Sequence, residues 1–229
     1  MIQKTIIQIS DVSFSYPGKQ ALFTNISIAL KKGCFYIING PSGGGKSSLL
    51  RLINRLEEPT RGQILFNGRP LSSYHPPLLR KQILYIQQTP SVIDGRIREN
   101  LLLPFTFKSN KGLAKPDDKM LLTLLKDFRL DGIHLDDHAQ NLSVGQLQRL
   151  CFIRGLLLSP ELILLDEPTS ALDDESSRIV ESKAEELCLA LDKTVLMISH
   201  RKFKPEKIVP DLLHVADGRV TENKWNPAS

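Results

Sequence analysis

Cysteine is scarce in this chain. The three present, Cys34, Cys151 and Cys188, stand far apart with no C-x-x-C spacing. That odd, dispersed set excludes a disulfide framework and predicts buried, reduced thiols. Long hydrophobic runs are missing too. Apolar stretches such as 162–165 and 195–198 fall far short of the ~20 residues a bilayer span requires, so none is expected. The opening Met1-Ile2-Gln3-Lys4-Thr5 carries no apolar signal-peptide core, and a cytosolic address is the expectation. A strong excess of one charge is also lacking. Thirty Lys+Arg against 25 Asp+Glu leave +5, a surplus too small to argue for a nucleic-acid partner, and none is expected. No internal repeat or low-complexity tract is found.

What is present is an ordinary globular balance, 41% hydrophobic and 24% charged, with apolar residues spread along almost all of the 229 positions. This excludes a disordered chain. A chain of this length buries roughly 70–75% of its unfolded surface, enough for one domain with an insertion or two closely packed lobes.

Short β-like runs open the chain at 6–9, 13–16, 26–30 and 34–38, divided by turns at Pro17-Gly18 and Lys31-Lys32-Gly33. The nearly continuous apolar run 34–38 predicts a central strand buried on both faces. A glycine-rich stretch follows at once, then a helix over 47–56 with one broad apolar face. Strands are predicted at 62–66 and 83–87. From about 90 to 158 the pattern is helical, with an exposed polar connection at 104–119, a helix over 119–130 capped by Asp117 or Asp118, and another over 143–158. Ser143 and Gln146 open that last helix as an S-x-x-Q capping box. A strand at 162–165, a helix at 174–189, a strand at 194–199 and a hairpin over 212–220 turning at Asp217-Gly218 complete the pattern. Strands alternating with helices predict an α/β fold with a parallel core and a helical insert.

Gly40, Pro41, Ser42, Gly43, Gly44, Gly45, Lys46 and Ser47 spell G-x-x-x-x-G-K-S between a buried strand and a helix. Phosphate binding needs many N–H donors converging on one anion, and glycine lets the backbone wrap that tightly. The helix start adds its positive dipole end, Lys46 can reach the outer phosphates, and the Ser47 hydroxyl can ligate Mg²⁺. The apolar run 162–165 ends in Asp166 and Glu167. Beside a phosphate loop, the first acid suits Mg²⁺ and the second suits a general base for water. Ser143 with the N–H groups of Val144 and Gly145 forms a second anion site at a helix start, a role compatible with simple capping.

These stretches in this order resemble the ATP-binding subunits of ABC transporters, over about residues 6–220. The resemblance rests on the phosphate loop, a glutamine at a strand end, Leu-Ser-Val-Gly-Gln-Leu-Gln-Arg at 142–149, Asp166-Glu167, Ser-Ala-Leu-Asp at 170–173, and Ser199-His200. It implies a P-loop NTPase (RecA-like) core with an N-terminal antiparallel β lobe and an inserted helical subdomain. The single domain would comprise core residues 1–89 and 159–220, the insert 90–158 and a loose tail 221–229. It further implies that Tyr16 stacks on adenine, that 40–48, including Ser48, is the Walker A loop, and that Gln88 is the Q-loop glutamine, with Gln87 the alternative by register. Asp166 and Glu167 match the Walker B aspartate and catalytic glutamate, Asp173 the D-loop, and His200 the switch histidine. Mg²⁺ would be held by Ser47, Gln88 and Asp166.

Such ATPases work as head-to-tail dimers in which Ser143, Val144, Gly145 and Gln146 complete the partner copy's ATP site. The resemblance therefore implies ATP hydrolysis, a second copy, and a separate permease docked near Asp94-Gly-Arg-Ile-Arg-Glu-Asn100 on the inner face of the cell membrane. Two departures, Val144 for a usual glycine and Ser48 for a common threonine, remove no required group. Residues 79–91 and 98–105 are similar to iron- or metal-export ATPases, with phosphate importers next. A permease-free ATPase, as in iron–sulfur assembly, is the alternative. The pair His134 and His138 reads as a solvated connector rather than a metal site.

Overall fold

The computed structural model describes residues 4–199, 203 and 205–225. Two sheets organise it. Strands β1 (Thr5–Phe14), β2 (Phe23–Lys31), β4 (Arg61–Phe66) and β5 (Arg69–Pro70) form an antiparallel sheet in the order β2-β1-β4-β5. The second sheet runs β10 (Arg219–Lys224), β9 (Asp211–Ala216), β3 (Phe35–Asn39), β8 (Thr194–Ile198), β7 (Leu162–Asp166), β6 (Ile83–Ile86). All its pairings are parallel except the β9–β10 hairpin.

The parallel strands are apolar at nearly every position because both faces are covered. Alternation still sorts the side chains. Tyr36, Ile38, Leu162, Leu164, Leu196 and Ile198 enter the core shared with the antiparallel sheet and α1 (Lys46–Ile53). Phe35, Ile37, Ile163, Leu165, Val195 and Met197 enter the core on the other side. That second core takes in α3 (Ile97–Leu102), α4 (Asp118–Asp127), α5 (Val144–Leu156) and α6 (Asp174–Leu191). The result is an α/β fold with an antiparallel β lobe and helices inserted between β6 and β7.

Several sequence expectations change. The run 6–9 and the start of the run 13–16 are one strand, β1, which ends at Phe14. Its polar middle is a bulge, with Asp11 at φ 50° and its N–H donated to Ser27 Oγ at 2.9 Å. Residues 221–224, expected in a loose tail, pair with β9 from Thr221↔His214 to Lys224↔Asp211; the expectation for 226–229 lies outside the described residues. No sequence signal pointed to α2 (Pro76–Gln82), whose prolines sit in the first turn where no N–H is needed, whereas α3 falls within the stretch expected to be helical. The connection 104–119 is only partly exposed, since Pro104 and Phe105 are buried and Asn110 Nδ2 donates to the Pro104 carbonyl at 2.7 Å. Cys151 and Cys188 are buried free thiols, but Cys34 is half-buried.

Ile163 and Leu164 are both fully buried and face opposite cores. Replacing either with Ala is expected to cost about 2–5 kcal/mol. In urea unfolding followed by circular dichroism, each should shift one common transition. Two separate transitions would show that the cores are independent.

Candidate functional site

The glycine-rich loop joins β3 to α1, so its backbone emerges from the carboxyl edge of the parallel sheet. Two glycines are dictated by geometry. Gly40 has φ 141°, and a Cβ there would lie 2.0 Å from the Val215 carbonyl oxygen of β9. Gly45 caps α1 at φ 101°, and a Cβ there would strike the Phe23 ring at 2.8 Å. The loop is thus wedged between a strand and an aromatic ring.

Lys46 is only 5% exposed, and its Nζ donates to the Gly40 and Pro41 carbonyls at 3.0 and 2.9 Å. No carboxylate pairs with it among the described residues, so a buried cation rests on neutral dipoles alone. Such a charge is best matched by an anion brought from outside. A cavity of about 420 Å³ opens over the loop, lined by Ser42, Gly43, Gly45, Lys46, Ser47 and Ser48, with Tyr16, Lys19, Gln20, Leu22 and Glu167. Tyr16 packs edge-on against Phe14, shares a 3.0 Å hydrogen bond with Ser48 Oγ, and has Lys19 Nζ 6.0 Å above its ring. A hollow of about 500 Å³ between α4 and α6 mixes Lys126, Arg129 and Arg178 with Asp127 and Glu175, and contains none of the predicted residues.

β7 delivers the acids. Ser47 Oγ donates to Asp166 Oδ1 at 2.8 Å, bringing together groups 119 positions apart. Both are hard oxygen donors, the kind Mg²⁺ prefers when it keeps waters and borrows phosphate oxygens, so these residues fit that ion. Glu167 follows with its backbone at φ 49°, a left-handed conformation uncommon outside glycine. Gln88, just past β6, donates through Nε2 to Glu167 Oε2 at 3.2 Å and to Ser170 Oγ at 3.0 Å. The Gln87 carbonyl instead receives Gln148 Nε2 of α5 at 3.3 Å.

The stretch 142–149 lies elsewhere. Ser143 Oγ accepts the Gln146 N–H at 3.3 Å, and Gln146 Oε1 accepts the Ser143 N–H at 2.9 Å, completing the predicted capping box. Ser143 and Val144 are exposed, Val144 by 50%. Neither they nor Gly145 and Gln146 line the cavity over their own phosphate loop. Gly145 also has a packing reason to be glycine, since a Cβ would press on Ser176 Oγ of α6 at 2.8 Å. Asp173 caps α6, accepting both the N–H and Oγ–H of Ser176, and these bonds hold its carboxyl below the usual range. His200 lies outside the described residues.

Sequence reasoning missed Tyr85. Its hydroxyl donates to Asp166 Oδ2 at 2.5 Å. Burial first, and that bond second, push its pKa up to about 12. The signal was faint: one polar-tipped residue in the strand Ile-Leu-Tyr-Ile, paired across the sheet with Leu164, two positions before Asp166.

The ABC transporter family model matches residues 23–170. The chain belongs to the ABC transporter family. It is an ABC ATPase domain, and ATP binding follows from that membership. It is 34% identical over 197 residues to the probable iron export ATP-binding protein FetA of Escherichia coli, covering 86% of this chain and 85% of that one. It is 33% identical over 209 residues to ABC multidrug transporter E of Aspergillus fumigatus, covering 85% of this chain but only 16% of that protein. Among solved structures it is similar to a dimeric, post-hydrolysis state of the ATP-binding cassette MJ0796 bound to ADP and Pi. That match has a TM-score of 0.83 and 27% identity, covering 96% of this chain and 99% of that one. No helix of the described residues is long and apolar enough to cross a membrane, and no described His, Cys, Asp or Glu group forms a metal cluster around His134 and His138.

Gly45→Ala forces a side chain into a left-handed backbone and against Phe23, at a cost of about 1–3 kcal/mol. Its ATP affinity, measured by fluorescent-nucleotide titration, is expected to fall about 5- to 150-fold, as that energy implies. Unchanged affinity would show that the loop has another accessible shape.

Proposed function

We propose that two copies of this ABC ATPase domain close head to tail over two ATP molecules and power transport through a separate membrane permease. The observation that carries this reading is the position of the α5 start. An exposed helix N-terminus with Ser143 and Val144 at its tip stands outside the cavity over its own phosphate loop. It suits the phosphates of a partner's ATP, because a helix start concentrates N–H donors and positive dipole. The dimeric state of MJ0796 supports the same arrangement.

Within each site, the loop 40–48 and Lys46 cradle the phosphates, and Tyr16 receives the base. Ser47 and Asp166, with Gln88 beside them, would hold Mg²⁺, which neutralises charge on the β- and γ-phosphates when bound. Glu167 takes the proton from the attacking water, and Gln88 holds the Glu167 carboxylate at 3.2 Å in readiness. His200 is assigned to the γ-phosphate, and Asp173 to communication across the dimer. The segment 94–100 is the proposed permease contact, on the cytoplasmic face of the membrane. Similarity to FetA supports metal export as the cargo class, whereas no observation favours a permease-free role.

Two experiments test this. Glu167→Gln should lower ATP turnover about 10²–10⁴-fold while ATP binding persists. Lys46→Ala and Ser143→Arg proteins should each be inert alone. Mixed, they should recover up to about a quarter of wild-type turnover, because half the random pairs are heterodimers with one intact site. A mixture that pairs yet stays inert would contradict completion of the site by the partner.

A further inference from the structure

The two oxygens of the Asp166 carboxylate are held by different donors. Ser47 Oγ–H takes Oδ1 at 2.8 Å and Tyr85 Oη–H takes Oδ2 at 2.5 Å. Asp166 is 5% exposed and pairs with no cation among the described residues, so these donors fix its orientation. They are not equivalent. A hydroxyl that ligates a metal offers it a lone pair and can still donate its proton, so Ser47 marks Oδ1 as the oxygen beside the metal. Tyr85 donates to the other oxygen, on the side away from Ser47. Beside it, the Arg51 guanidinium of α1 interacts electrostatically with the Tyr85 and Tyr16 hydroxyls, and Tyr16 meets Ser48 Oγ at 3.0 Å.

We propose that Tyr85, with Arg51 beside it, is a positioning residue that holds the Asp166 carboxylate with Oδ1 presented to the metal. This rests on the assignment of Mg²⁺ to Ser47 and Asp166. Packing alone does not account for the residue, because Phe would fill the same space between β6 and β7 without donating to a buried carboxylate. Groups that orient metal ligands from behind typically change metal affinity 10–100-fold when removed.

The test is trinitrophenyl-ATP binding to the full chain, measured by fluorescence in EDTA and again in Mg²⁺. The readout is the gain in affinity that Mg²⁺ confers. Tyr85→Phe should keep its EDTA affinity within about twofold of wild type and lose about tenfold of the Mg²⁺-dependent gain. Arg51→Gln, at an exposed position, should lose less of it in the same direction, and decides alone if Tyr85→Phe does not fold. Asp166→Asn should abolish the gain. A merely structural role would weaken both titrations together. If Asp166→Asn abolishes the gain while Tyr85→Phe and Arg51→Gln leave it intact, the positioning role is wrong and the metal assignment stands. If Asp166→Asn leaves the gain intact, the metal assignment falls and the inference with it.

Discussion

One contact, Ser47 Oγ to Asp166 Oδ1 at 2.8 Å, organises the catalytic end of the molecule. It joins the first turn of α1 to the last residue of β7, and it forms only if the parallel sheet holds β3, β8 and β7 side by side in register. The pairings Ile38↔Ile198 and Asp166↔Ile198 supply that register, so the phosphate loop and the acidic pair leave the same edge of the sheet. A one-residue slip would turn Asp166 toward the opposite core and bury an unmatched carboxylate. The two-faced apolar core therefore specifies the site as well as stabilising it.

The same edge gathers a buried cation, Lys46, and a buried carboxylate, Asp166, each met by neutral groups. Lys46 rests on two carbonyl oxygens, Asp166 on two hydroxyls, and Glu167 is reached by Gln88 from a backbone at φ 49°. The neutral groups that hold Lys46 and Asp166 leave both charges to be matched by phosphate and metal at that edge. The start of α5 is the complementary feature. Its donors are satisfied only in part by the Ser143–Gln146 box, and its first residues do not line their own cavity.

Much of this was legible in the sequence because it depends on local rules. The loop 40–47 announces itself through glycines needed at φ 141° and φ 101°. The capping box Ser143–Gln146 and the Asp117 cap are short-range hydrogen bonds, and the buried strands are unbroken apolar runs. What escaped depends on distant partners. β1 looked broken because Asp11 is polar, and only Ser27, 16 residues away, accounts for its N–H. The end of β10 looked loose because Thr-Glu-Asn-Lys at 221–224 has no apolar face, yet its backbone has β9 to pair with. The helix α2 begins Pro-Pro, which reads as a turn unless its first-turn position is known. Tyr85 was read as part of a strand, since nothing local says that its hydroxyl meets an acid 81 positions on.

The central claim is that ATP joins two copies of this chain. Sedimentation velocity of Glu167→Gln protein with Mg²⁺-ATP, alongside a count of bound nucleotide, tests it most directly. The account predicts a monomer without nucleotide and, with it, a dimer holding two ATP molecules. A chain that stays monomeric while binding one ATP at saturation would contradict it.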